Sequence, residues 1–89
     1  MNSEIEQEAQ RLVDIVRAEL EHDTPMGPQW IVAEGARVLE NAQTFLISAR
    51  EGKQAILLAG GSLEQFLGAS WLGVCRVAYE QCERVQALL

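Results

Sequence analysis

The chain has one histidine, His22, and two cysteines, Cys75 and Cys82, a scarcity that removes most side-chain chemistry. General acid–base and nucleophilic catalysis rest most often on a histidine set beside a second positioned group. A lone histidine with no such partner in sequence supports neither, so no catalytic residue is assigned and the chain reads as a non-enzyme. The two cysteines stand seven residues apart, two helical turns or roughly 10 Å, which is too long for a disulfide within one helix. The C-x-x-C spacing of a zinc site is also missing. Both cysteines read as small apolar residues, with Cys82 on a core stripe and Cys75 beside it. No metal and no cofactor are implied.

Cations are few. Seven Lys and Arg face thirteen Asp and Glu, for a formal charge of −6. The seven form no patch in sequence, which disfavours nucleic acid and anionic membrane surfaces as partners. A basic protein partner is compatible with this charge, although acidity speaks first to solubility. Long apolar runs are missing too. The nearest to the ~20 residues that span a bilayer is Ala55 to Val74, interrupted by Gly60, Gly61, Glu64 and Gln65. The acidic N-terminus, with Glu4, Glu6 and Glu8, does not resemble a signal peptide. The expectation is a cytoplasmic protein with reduced cysteines.

Proline and aromatic residues are scarce as well. Pro25 and Pro28 fall together, leaving two long proline-free stretches, and the five aromatics are Trp30, Phe45, Phe66, Trp71 and Tyr79. The core must then be built from Leu, Val, Ile and Ala, which suits helix packing. Residues 1–89 read as a single helical domain, one that buries only a little over ~60% of its unfolded surface.

Three helical patterns are present. In the first, Ser3 and Glu6 form an S-x-x-E capping box. Ile5, Ala9, Leu12, Val13, Val16 and Leu20 then make an apolar stripe opposite Glu4, Gln7, Arg11, Asp14 and Glu21. Residues 22–28, His-Asp-Thr-Pro-Met-Gly-Pro, are a loop. The second helix opens near Pro28. It buries Ile31, Gly35, Val38, Ala42, Phe45 and Ala49, broadened by Leu39 and Leu46, and turns Glu34, Arg37, Asn41, Thr44 and Ser48 outward. Gly35 and Ala42 would let another helix approach closely. Gly52 either caps this helix in the left-handed conformation or lies within a continuation to Gly60-Gly61. A lone strand at 55–59 has no second strand to pair with. The third pattern opens with Ser62 and Gln65 as a second capping box. It runs Leu63, Leu67, Trp71, Val74, Ala78, Cys82, Val85 and Leu89 to the C-terminus, with Arg76, Glu80 and Arg84 opposite as i,i+4 pairs.

The third pattern holds the most informative segment. Gln65 to Cys75 carries no charge in eleven residues. A helix apolar all round must be covered on more than one side. Gly68 and Gly73, each costing about 1 kcal/mol relative to alanine in a helix, require close packing, a kink or a local break. The reading that follows is an all-α, small antiparallel bundle of three main helices, or four if the second breaks at Gly52, completed by dimerisation. Leu67, Gly68, Trp71, Leu72 and Cys75 are the expected interface. If so, Leu72→Glu should dissociate the assembly and leave a helical monomer; if the segment is intrachain core, it should unfold the chain. Trp71 serves equally as core or interface residue, whereas Trp30, beside the loop, reads as partly exposed.

Two further constellations have plainer explanations. Glu19 and His22 form the E-x-x-H pattern that supplies ligands in helical di-metal sites. The glutamates Glu34 and Glu40 point outward in this reading and Glu64 starts a helix, so a histidine at a helix end is simpler. Gly60-Gly61-Ser62 before a helix resembles an anion site, but the lysine of a phosphate loop is absent and a turn accounts for it. The functional expectation is a homodimeric, non-catalytic interaction module presenting a helical surface to a protein partner. The alternatives are a small acidic neutralising protein of the immunity-protein, antitoxin or inhibitor kind acting on a basic target, and more remotely a metal-binding dimer using Glu19 and His22.

Overall fold

The computed structural model describes residues 4–21 and 29–89, with the backbone alone at 29–32. The described residues form six helices, in order α1 (Glu4–Leu20), α2 (Gln29–Arg50), α3 (Gln54–Leu58), α4 (Leu63–Leu67), α5 (Ala69–Leu72) and α6 (Arg76–Ala87). No strand occurs among the described residues. No helix there is long and apolar enough to cross a membrane. Ser3, the 22–28 loop, and the side chains of Trp30 and Ile31 lie outside what is described.

The longest elements, α1 and α2, follow their apolar stripes. Ala9, Leu12, Val13 and Val16 of α1 meet Val38, Ala42, Phe45 and Leu46 of α2 in one core. The two helices run antiparallel. The C-terminal end of α2 is tied to the start of α1 by Arg50, whose Nε stands 3.2 Å from Glu6 Oε1 and whose Nη2 donates to Gln10 Oε1. At the opposite end Leu20 lies over Gly35, where a Cβ would come within 2.6 Å of Leu20 Cδ2 and of Trp71 Nε1. The close approach expected at Gly35 is therefore made by a side chain of each of two neighbouring elements.

Gly52 ends the second helix. Its φ is +71°, and the Lys53 N–H donates to Ser48 O while the Gly52 N–H donates to Ala49 O. This is the Schellman pattern, which satisfies the last carbonyls of a helix. Residues 54–58 are then a separate short helix, so of the two readings of Gly52 the break is the one realised.

The expected third helix is not continuous. It divides at Gly68 and again at 73–75, and the divided chain folds back on itself. The Leu63 N–H donates to Gln86 Oε1 at 2.8 Å, which sets the start of α4 against the end of α6. Ser62 caps α4 as its sequence pattern predicts, its Oγ accepting from the Gln65 N–H. At Gly68 φ is +137° and ψ 90°, a conformation that L side chains rarely adopt, and a Cβ there would sit 2.9 Å from Val38 Cγ2. Asn41 Nδ2 donates to the carbonyl oxygens of both Phe66 and Leu67 at 3.1 Å. Asn41, read from the sequence as part of the outer face, is thus the group that makes the break affordable, because a buried carbonyl without a donor is costly. Cys75 is extended at φ −121° and ψ 91°, and α6 starts after it.

The result is an all-helical antiparallel bundle with α1, α2 and α6 as its long members. The pair α4–α5 packs between α2 and α6, and α6 closes against α1. Gln81 of α6, buried among apolar residues, joins the last pair: its Nε2 donates to Glu8 O at 2.9 Å and Glu8 Oε2 at 2.7 Å. Nothing in the residue spacing singled Gln81 out.

Candidate functional site

The uncharged segment was the expected interface, and its side chains divide sharply. Leu67 and Trp71 are 0% exposed, Leu72 is 1% and Cys75 is 5%, all in the core of the single chain; Gly68 is half-buried. These four side chains have no free surface in this arrangement. After Gln65 at its start, what the segment leaves outside is small: Ala69, Ser70 and Gly73, then Val74. The cover inferred for an all-apolar helix comes from breaking the helix, so that successive turns face α2 and α6 of the same chain.

The cysteines are chemically quiet in these places. Burial pushes the Cys82 thiol up to about 12, with the carboxylates of Glu64 and Glu83 adding to it. Burial also raises Cys75, with a further contribution from Glu19. A nucleophilic cysteine needs the opposite, a depressed value beside a cation or base. Trp71 Nε1 is buried without a hydrogen-bond partner among the described residues, held against Gly35.

His22 lies outside the described residues, and with it the Glu19–His22 pair. Among the described residues no three His, Cys, Asp or Glu side chains are grouped so as to hold a metal ion. The carboxylate of Glu34, expected on the outer face, lies beside Gly68. At the Gly60-Gly61-Ser62 turn, the N–H groups of Leu63 and Gln65 are both taken by the chain's own side chains, Gln86 and Ser62. That uses donors an anion would need.

Exposed apolar side chains also occur near where α6 meets α1. Val77 is 55% exposed and Val74, just before α6, is 51% exposed. Val77 and Ile15 line one open groove with Arg11, Glu80, Gln81 and Arg84. Sequence reading missed this surface because it placed Val74 on the core stripe of one continuous helix. The helix is interrupted at 73–75 and Val74 faces out there, while Ala78, Cys82 and Val85 stay buried on the stripe. A second depression, on the other side of α6, is lined by Leu72, Gly73, Arg76 and Tyr79. There Arg76 Nε is held 3.3 Å from Glu80 Oε1. Burdened by the neighbouring Glu83 carboxylate, with which it shares a hydrogen bond, the Tyr79 phenol is raised. No protein-family model, curated protein or solved structure matches this chain.

Proposed function

We propose that this protein is a non-catalytic helical interaction module that works as a homodimer and offers a helical surface to a protein partner. The observation that carries the reading is the half-exposed Val77 at the start of α6 with Ile15 of α1 beside it, and the half-exposed Val74 just before that helix. Scattered exposed apolar residues are ordinary on any protein surface. Here Val77 and Ile15 share one groove on a chain whose core is already filled by its own residues. The inert cysteines and the dispersal of the charged groups favour a surface that binds over one that reacts. The proposed seat of the interaction is therefore α1 with α6, in place of the buried Leu67, Trp71, Leu72 and Cys75.

Light scattering across a concentration series, under reducing conditions, tests this. The chain mass is 9.9 kDa. A species of twice that mass, about 20 kDa, is the expected result for a twofold assembly. A monomer at every concentration removes the homodimer.

A further inference from the structure

The α1–α6 groove has a direction. The two helices are antiparallel: Gln81 bonds Glu8, and Ile15 lies by Val77. Toward the N-terminal end of α1 the groove carries Arg11 and Arg84. Both are exposed and neither has an ion pair among the described residues. One turn beyond Ile15 on the same face of α1, past the other end of the groove, stands half-buried Glu19. Glu19 has no ion pair among the described residues either. Glu80, which also lines the groove, pairs with Arg76, and Glu8 accepts from the Gln81 amide. Along α1 the unpaired charges thus run from Arg11, with Arg84 across the groove, past the apolar Ile15 and Val77 to Glu19 beyond it.

Such a surface is complementary to itself when reversed. We infer that a second copy of this chain docks antiparallel on the α1–α6 groove about a twofold axis, with Val77 and Ile15 at the axis and Arg11 and Arg84 of each protomer facing the partner's Glu19. An isologous contact requires this property: one patch must fit its own rotated image. The apolar centre supplies the burial, and the two charged ends set the register and exclude the parallel arrangement, which would put arginine on arginine. The inference rests on the homodimer reading above and gives it an address.

Sedimentation equilibrium of the full chain from about 1 µM to about 1 mM brackets the dissociation constants concerned. Circular dichroism confirms that each variant keeps its helices, since the altered positions are exposed or half-buried. Val77→Glu should weaken the dimer by at least about thirtyfold, as for a residue at the centre of an interface. Ile47→Glu, an equally exposed position on α2 outside the groove, should leave it unchanged. Glu19→Arg alone, and Arg11→Glu with Arg84→Glu, should each weaken it about fivefold or more, and all three together should return it to within about threefold of the native chain. A dimer indifferent to Val77→Glu, or as sensitive to Ile47→Glu, overturns the address and leaves the homodimer standing. Loss on Val77→Glu without recovery in the triple variant overturns the antiparallel register. A native chain monomeric throughout the range overturns both the address and the homodimer.

Discussion

Residues 4–50 and residues 54–89 use nearly the same apolar alphabet and build opposite kinds of structure. The first region is two long helices, each with one buried face and one wet face. The second is three short helices followed by the longer α6, in a shorter length of chain. The difference lies in where polar residues interrupt the apolar ones. In α1 an arginine, aspartate or glutamate recurs each turn, so one face is always paid for by water. Between Gln65 and Cys75 no charge recurs, and a straight helix there would present a dry outer face. The chain resolves this by turning at Gly68 and again before α6, so that Leu67, Trp71, Leu72 and Cys75 all point into one core. A charge-free stretch thus has two solutions, a partner chain or a fold-back, and paired glycines within it favour the second.

The largest effect that can break this comparison is at Leu72. Its side chain is 1% exposed, in contact with the core. Leu72→Glu would bury a carboxylate with no cation beside it, at a cost above about 4 kcal/mol. A chain of this length has a total stability of roughly 5–13 kcal/mol. The variant should be unfolded or grossly destabilised at every protein concentration, read by circular dichroism and urea titration. A stable helical monomer would instead mean that the segment is an interface in solution and that the fold-back is not its resting cover.

Next comes Gly68→Ala, expected to cost about 2–4 kcal/mol in urea unfolding. Two separate causes act in one direction: a φ of +137°, and a new Cβ 2.9 Å from Val38 Cγ2 and 3.0 Å from Glu34 Oε1. An alanine tolerated at less than about 1 kcal/mol would mean that α4 and α5 can straighten into one helix, as the stripe alone suggested.

A third effect is tied to pH. The Cys82 thiol titrates near 9 in the unfolded chain and is pushed up to about 12 in the folded one. Between those values the unfolded chain has released a proton that the folded chain retains, so stability is full below pH 9 and falls as pH rises toward 12. Cys82→Ala, compared with the native chain by urea titration at pH 7, 9 and 10.5, should lose less stability over that range, by up to about 1.4 kcal/mol per pH unit. Equal slopes in the two proteins would place Cys82 in contact with water, and α6 away from the core.

The fold class, the stripes of α1 and α2, and the Ser62 cap were legible because each is a local pattern with a period that survives into the structure. The fold-back was legible only as a tension, two glycines where a helix wants none. Its placement depends on Asn41, twenty-five residues from Phe66, and on Gln86, twenty-three from Leu63. Such long-range polar pairs leave no periodic trace. Asn41 looks like any outward asparagine, and Gln81 like any surface glutamine on an otherwise charged face. The expected interface residues were correctly seen as needing cover, but spacing cannot say whose atoms supply it. The exposure of Val74 became visible only with the interruption of the helix before α6.

The smallest effect separates the two glycines that looked alike in sequence. Gly73 has φ −65° and ψ −23°, ordinary helical values, and is exposed. A Cβ there would meet only Ala69 O and Ser70 O at 3.4 Å, the distance of an ordinary contact. The second break is therefore made after Gly73, by the extended Cys75 and the burial of its side chain. Gly73→Ala should raise stability by about 0.4–1 kcal/mol, mainly because the unfolded chain loses freedom. Set against the loss at Gly68, two chemically identical substitutions five residues apart should then differ in sign. If Gly73→Ala instead weakens the native assembly while the diluted monomer gains stability, the small face of Ala69, Ser70 and Gly73 is itself a contact surface. The same change would then be read twice, once in the fold and once in the dimer, and the order of the two responses on dilution would tell which surface the second copy covers.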